Sequence, residues 1–323
     1  TYGVVTSAQV AKDWEMGRSR RFGHVTMEDP HAAQAALSAL QGAELDGAVI
    51  GLHGAKSGID IALHDLAAKA HGVSVFELLG GAVRDELPSN QTLWYGPPEA
   101  AAQKAAAYVA EGFRYIKVRA GLRPFEKDVD RIRAVREAVG EDISLAIDPN
   151  MGWEAQEAVR FLRKLERFNL SYVEQPVPHT DFAGMRHVTR NAGVPVMADE
   201  SVQSISDVFV LARDRAADIL HLKMIKLGGI DGVRRAAAVA ESAGLRLMVG
   251  QTNEGALATT AIAHCARAIH SDYLELYGSQ GLKEDPTGGF SLKGGKATFP
   301  VAPGLGVAPD ERALQLVGTM ELD

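Results

Sequence analysis

The chain has 323 residues, 46% of them hydrophobic, enough for one large domain or a large domain with a small companion, and for a sizeable core. Its 34 Lys and Arg against 41 Asp and Glu give a formal charge of −7 with no basic block, so nucleic acid is not expected as the main partner. There is no run of about 18 apolar residues and no basic-then-apolar leader, so neither a membrane span nor a signal peptide is expected. The single cysteine, Cys265, excludes an internal disulfide and fits a reducing, cytoplasmic setting.

In chain order, residues 1–88 come first. Stretches such as "DPHAAQAALSALQG" and "AKSGIDIALHDLAAKAHGVSVFELLGG" are helical in pattern and carry no strand repeat, so they read as a helical capping domain. From residue 89 the pattern changes. Apolar runs alternate with amphipathic, Ala-rich stretches: "QTLWYG" (91–96), "YIKVRA" (115–120), "SLAIDPN" (144–150), "SYVEQP" (171–176), "PVMADES" (195–201), "ILHLKMIK" (219–226), "LRLMVGQ" (245–251) and "DYLELYG" (272–278). Polar strand-end residues recur at intervals of 31, 26, 25 and 24 from Lys117 through Asp148, Glu174 and Asp199 to Lys223. Eight strand–helix units at this spacing predict an α/β protein with a parallel (β/α)8 TIM-like barrel over residues 89–290. An open doubly wound sheet is the runner-up, but no Gly-rich phosphate fingerprint follows the first strand. Residues 291–323, with "FPVAPGLGVAPDE", are Pro/Gly-rich and are expected to return over the cap.

In such barrels the C-terminal strand ends face the active site. Asp148, Glu174 and Asp199 end three successive strands, and each alone reads equally well as a solvated loop-edge acid. Together they are converging like charges, whose pKa values would rise unless something neutralised them. A hard divalent cation does so, and Mg²⁺ favours oxygen ligands with water or substrate in the remaining positions. Cationic strands flank the acidic ones. Lys117 and Arg119, two residues apart, share a face, and Lys223 ends the sixth strand. A lysine becomes a general base when burial and nearby cations lower its pKa. Lys226, three residues on, reads as a surface or helix-capping lysine.

The motifs "IKVR", "IDPN", "VEQP", "ADES" and "LKMIKLGGI", with "GIDIALHDLAAKAHGVSVFELLGG" in the cap and "PGLG" near the C-terminus, resemble the enolase superfamily, nearer its muconate-lactonizing than its mandelate racemase branch. The likeness spans nearly the whole chain. The resemblance implies Mg²⁺ on Asp148, Glu174 and Asp199, with Asn150 and Glu200 close by. It also implies removal of a proton α to a carboxylate to give an enediolate, by a Lys or His base. It implies an N-terminal α+β cap, whose usual antiparallel strands are expected here to be shortened or absent. Two departures stand out. Where the family's second strand usually carries Lys-x-Lys, this chain has Lys117 and Arg119, and a guanidinium is a poor proton shuttle. That leaves Lys223 as the better base and makes Arg119 a candidate clamp for a substrate carboxylate. The seventh strand ends "VGQTNEG", without the histidine of the mandelate racemase branch. His221 reads as a core histidine deeper in the barrel, and His64 and His264 as helix residues without ligand partners.

Substrate contacts are expected from Trp94, Tyr95, Asn150, Gln251, Asn253, Glu254 and Glu275. Dipeptide epimerases of the family show Asp-x-Asp on the eighth strand. Tyr273 and Glu275 stand there, which disfavours that activity. The leading expectation is a Mg²⁺-dependent cycloisomerase or dehydratase acting on a small carboxylic acid, with Lys223, Lys117 and Arg119 catalytic, in a cytoplasmic homo-oligomer. A racemase or epimerase of an amino-acid derivative is the alternative within the family. A Schiff-base lysine aldolase using Lys117 or Lys223, and a non-catalytic ligand-binding barrel, are alternatives outside it.

Overall fold

The structure, a computed structural model, describes residues 5–12, 19–27, 44–45, 48–49 and 52–313. Two strands, β1 (Val5–Lys12) and β2 (Ser19–Met27), form an antiparallel pair, followed by the short pair β3 (Glu44–Leu45) and β4 (Ala48–Val49). The N-terminal part is therefore not purely helical, and antiparallel strands are present where shortened or absent ones were expected. The helical pattern over residues 29–42 lies outside the described residues. Helix α1 (Leu52–His71) and the short α2 (Val75–Leu78) follow the "GIDIALHDLAAKA" and "VFEL" stretches; Ser74 and Glu77 form a capping box at the start of α2.

After β5 (Leu87–Pro88) the strand–helix alternation begins with β6 (Gln91–Leu93) and α3 (Pro98–Ala110). It continues through β7 (Tyr115–Arg119), α4 (Glu126–Val139), β8 (Ser144–Asp148), α5 (Ala155–Leu165), β9 (Val173–Glu174) and α6 (Phe182–Asn191). The second half adds β10 (Val196–Ala198), α7 (Ile205–Asp214), β11 (Ile219–Lys223), α8 (Met224–Leu227), α9 (Ile230–Ser242), β12 (Arg246–Gly250), α10 (Ala256–Ala268) and β13 (Tyr273–Glu275). Strands β6 to β13 lie in chain order in one sheet, every neighbouring pair parallel. Its two ends meet: Asn90 N–H donates to Leu274 O (2.9 Å), and Leu276 N–H to Ser89 Oγ (2.9 Å). This is the expected (β/α)8 barrel.

Side-chain alternation along the strands places the site. Leu145, Ile147, Val173, Leu220, Leu222, Leu247 and Val249 face outward into the main core beneath the helices. Ala146, Tyr172, Met197, Ile219 and Met248, with Tyr273 against them, form a separate apolar cluster inside the barrel. Two residues beyond each of these, on the same face of its strand, stand Asp148, Glu174, Asp199, His221, Gly250 and Glu275. The apolar cluster is thus a floor and the polar residues a layer built on it. Gly250 is required there: a Cβ would lie 2.3 Å from His221 Nε2 and 2.8 Å from Glu275 Cβ. Gly250→Ala is expected to cost about 1–3 kcal/mol by overpacking, read as a lowered urea midpoint.

Side chains of α1 tie it to the barrel. Asp60 Oδ2 accepts from Ile230 N–H (2.5 Å) at the start of α9, and Asp65 Oδ1 accepts from Leu305 N–H (2.7 Å). The hairpin β14 (Ser291–Lys293) and β15 (Lys296–Thr298) pairs with β5, and the following segment runs back to α1. Buried His264 on α10 joins three parts of the chain. Its Nδ1 accepts from Phe76 N–H (3.1 Å), so its proton is on Nε2, which donates to Leu305 O (3.1 Å). Burial holds its pKa down at about 4, with Leu305 O and Asp65 opposing and Arg267 assisting. The folded state therefore binds fewer protons than the unfolded state between pH 6.5 and 4. Stability is full above 6.5 and falls with pH through that window, by up to about 3 kcal/mol. Urea titrations at pH 7 and 4.5 should show this fall, and His264→Asn should flatten it. No helix among the described residues is long and apolar enough to cross a membrane.

Candidate active site

At the middle level of the barrel, Lys117 is buried between carboxylates. Its Nζ donates to Glu174 Oε2 (2.7 Å) and Glu275 Oε2 (2.5 Å) and lies 3.9 Å from Asp148 Oδ2. Burial disfavours its charge, but the three carboxylates outweigh this and hold its pKa well above the ordinary lysine value. Glu174 is also bonded to His221 Nδ1 (2.9 Å). Burial alone would raise the Glu174 pKa, yet Lys117 and His221 bring it down to about 2. Glu275 accepts a further bond from Asn90 Nδ2 (2.9 Å).

At the strand ends, Arg119 NH1 donates to Asp148 Oδ2 (2.5 Å), and the Arg119 guanidinium lies over the Trp94 ring, 5.1 Å from its centroid. Asn150 bridges two acids, its N–H on Asp148 Oδ1 (2.8 Å) and its Nδ2 on Glu200 Oε1 (2.6 Å). Across the barrel, Lys223 Nζ donates to Asp199 Oδ2 (2.6 Å) and Lys226 Nζ to Asp199 Oδ1 (2.5 Å). Burial opposes ionisation of Asp199, but the two ammonium groups depress its pKa well below the usual carboxylate range. Asp148 goes the other way: burial and the charge of Glu174 raise its pKa, against Lys117 and Arg119.

Several sequence expectations change here. Lys226 is not a surface or helix-capping lysine. The turn from β11 into α8 brings it back over the strand end, its side chain 10% exposed and on Asp199. His221 is buried, as a core residue would be, but it is bonded into the acidic cluster. Glu275 is committed to Lys117 and Asn90. Tyr95 OH donates to Ala120 O (3.0 Å), a bond to the scaffold. Gln251 and Glu254 are buried in the turn after β12. The Gln251 amide oxygen accepts from Gly278 N–H (2.6 Å), and Glu254 Oε1 accepts from Thr252 Oγ1 (2.7 Å). Asn253 and the Trp94 ring are exposed. Sequence reasoning missed Gln175, fully buried just after Glu174: its Oε1 accepts from the N–H groups of Asp199 (2.9 Å) and Ser201 (3.0 Å) and so fixes the fifth strand end. Its polar character inside "VEQP" was the available signal.

Among the described residues, donor atoms of Glu174, Asp199 and His221 lie within 4.8 Å of one another, a candidate divalent-metal site. Asp148 stands outside that set, tied to Arg119. The surroundings fit a cation: among the described residues Glu200 Oε2 and His221 Nε2 are buried without hydrogen-bond partners, beside the carboxylates of Glu174 and Asp199.

A model of the enolase C-terminal domain-like family matches residues 100–313, and one of the mandelate racemase / muconate lactonizing enzyme N-terminal domain matches residues 28–80. The chain is 38% identical over 270 residues to the chloromuconate cycloisomerase CbnB of Cupriavidus necator, covering 82% of this chain and 73% of that protein. It is 36% identical over 257 residues to the L-Ala-D/L-Glu epimerase of Bacillus subtilis (78% and 70%). The crystal structure of a dipeptide epimerase from Enterococcus faecalis, complexed with Mg and the dipeptide L-Leu-L-Tyr, superimposes with a TM-score of 0.76 at 33% identity, covering 79% of this chain and 73% of that one. The chain belongs to the enolase superfamily, in its muconate-lactonizing branch. It is an enzyme of the isomerase kind found there. A model of the RNA recognition motif also matches residues 1–51. The run "RRFGHVTM" (20–27) keeps the motif's Arg, Phe, Gly and Val positions, but His24 and Met27 stand at two of its aromatic positions, where bases would stack.

Proposed function

We propose that the protein removes a proton α to the carboxylate of a small organic acid, through an enediolate, as a one-base cycloisomerase or dehydratase that requires Mg²⁺. One observation carries the reading: among the described residues, the two basic side chains that β7 brings to the site, Lys117 and Arg119, are both held as cations. Arg119 is a guanidinium whose charge Asp148 favours further, and Lys117 is held as an ammonium by its carboxylates. The lysines on the opposite side are Lys223 and Lys226. Lys223 is held charged, since Asp199, Glu275 and Glu174 outweigh its burial. Burial, with Lys223 beside it, lowers the pKa of Lys226 despite Asp199. Its Nζ donates to Asp199 Oδ1, Asp199 O and His221 O. On giving up one proton it would keep two of these three bonds and gain a lone pair for the substrate proton. We therefore assign the base to Lys226, with Lys223 beside it, in place of Lys223 alone.

Mg²⁺ is proposed on Glu174, Asp199 and Asp148. When bound it supplies positive charge that stabilises negative charge developing on the substrate carboxylate oxygens. Glu174 and Asp199 are anions and would serve the metal, Asn150 holds Asp148 and Glu200 in place, and Arg119 orients the substrate carboxylate by charge-assisted hydrogen bonds from the β7 side. The second reading, an epimerase, is favoured by the epimerase relatives. It needs a group on the β7 side that passes a proton to and from the substrate, a role for which the Arg119 guanidinium is poorly suited. We further propose a cytoplasmic homo-oligomer.

The test is ¹H NMR in D₂O with MgCl₂, with cis,cis-muconate and L-Ala-L-Glu as probes. Conversion of muconate to a lactone that carries one solvent deuterium, with no epimerisation of the dipeptide, supports the one-base reading. Epimerisation of L-Ala-L-Glu at the rate of any muconate conversion overturns it.

A further inference from the structure

The turn after β7 is held by side chains from two other elements. Arg119 O accepts from Arg131 NH2 (2.5 Å) on α4. Ala120 N–H donates to Asp148 O (2.8 Å), and Ala120 O accepts from Tyr95 OH (3.0 Å) at the end of β6. The N–H groups of Gly121 and Leu122 both donate to Asp128 Oδ2 (2.7 and 2.8 Å) on α4. Gly121 has φ +97°, and a Cβ there would lie 2.8 Å from Pro149 O, so the turn is also pressed against the end of β8. Five of the six backbone polar groups from Arg119 O to the Leu122 N–H thus have fixed partners.

The brace is a costly one if stability were its only role. Asp128 and Arg131 are each 1% exposed, and their mutual contact is 3.4 Å, long for an ion pair. Arg131 Nε has no partner. A buried pair of this geometry recovers its desolvation cost poorly, and an apolar pair of similar volume would stabilise as well or better. What the pair does bond is the turn that carries Arg119. The Arg131 guanidinium also lies 5.5 Å from the Tyr95 ring centroid, so the two halves of the brace touch each other.

We propose that Arg131, with Asp128 and Tyr95, is a positioning unit for Arg119. It fixes the backbone from which the guanidinium reaches the substrate, while Trp94 and Asp148 fix the guanidinium itself. An arginine side chain loses much rotamer freedom when it is fixed, and holding both ends before the substrate arrives removes that cost from binding. This rests on the reading of Arg119 as the group that holds substrate carboxylate.

The experiment uses the full chain with MgCl₂ and cis,cis-muconate as the calorimetric probe, comparing Arg131→Met, Arg131→Lys, Tyr95→Phe, Arg119→Met and the double variants with Arg119→Met. Arg131→Met and Tyr95→Phe are each expected to weaken muconate about ten-fold, and to add nothing once Arg119 is replaced. Arg131→Lys, which still reaches Arg119 O with one donor, should recover part of the loss. Hydrogen exchange at Gly121 and Leu122 should speed up about ten-fold in Arg131→Met. Losses that simply add to that of Arg119→Met, or unchanged exchange at those two amides, would overturn the positioning role. If Arg119→Met leaves muconate affinity unchanged, the carboxylate reading of Arg119 fails, and the exchange rates alone then decide whether the brace holds the turn. Should Arg131→Met fail to fold, Tyr95→Phe, which deletes one hydroxyl from a half-exposed ring, decides by the same two measurements.

Discussion

Lys226→Ala is expected to lower α-proton exchange by about 10²–10⁴-fold while leaving Mg²⁺ affinity within a few-fold of wild type. In the direction that removes the α-proton, from lactone to muconate, the rate in the intact protein should rise with pH as Lys226 loses its proton, and should level off below the pH at which an ordinary lysine would. Lys223→Ala tests the neighbour. It removes the cation that helps lower the Lys226 pKa, so the rate–pH profile should move to higher pH rather than collapse. Both are read by NMR as solvent deuterium entering and leaving the α-carbon of the lactone. If Lys226→Ala still exchanges at near wild-type rate and Lys223→Ala does not, the base is Lys223.

Glu174→Gln should have the largest effect on the folded protein itself. The carboxylate is 0% exposed, neutralises the buried Lys117 at 2.7 Å and is hydrogen-bonded to the buried His221 at 2.9 Å. Replacing it with an amide leaves an ammonium with less compensation in the barrel, at a cost of about 3–5 kcal/mol. The same change takes one charge from the candidate metal site, so Mg²⁺ affinity should drop with it. Asp148→Asn is the useful contrast. Asp148 is 3.9 Å from Lys117 and pairs instead with Arg119, which is partly open to solvent, so its loss should weaken the metal more than it destabilises the fold. Urea unfolding without metal and calorimetric Mg²⁺ titration separate the two effects. A Glu174→Gln protein as stable as wild type and binding Mg²⁺ as tightly would remove Glu174 from the site.

The barrel was readable because the chain repeats. Each "apolar run then charge" unit encodes a strand whose inward positions are apolar at the floor and ionisable two residues later, and strand parity makes that a statement about space. Met197 and Asp199, or Tyr172 and Glu174, share a face whatever their neighbours are. The departures came where position depends on contacts between segments. His221 was legible as an inward residue, but its bond to Glu174 joins residues 47 apart, and nothing local specifies it. Glu275 was expected at the substrate, and its fate depended on Lys117, 158 residues away. The strands β1 and β2 were missed because the run around them is mixed in polarity and shows no clear period.

Sequence alone determined the architecture, the acidic strand ends and the replacement of a proton-carrying lysine by Arg119, because these follow from periodicity and from the chemistry of single side chains. Tertiary structure decided which charges are free to act. Only the folded chain shows Lys117 locked between Glu174 and Glu275, Lys226 folded back onto Asp199 by the turn into α8, and the Arg119 turn braced by Tyr95, Asp128 and Arg131. The reason is electrostatic. In a buried site the role of an ionisable group depends on the charges within a few ångströms of it, and that neighbourhood is assembled from strands and helices far apart in the chain.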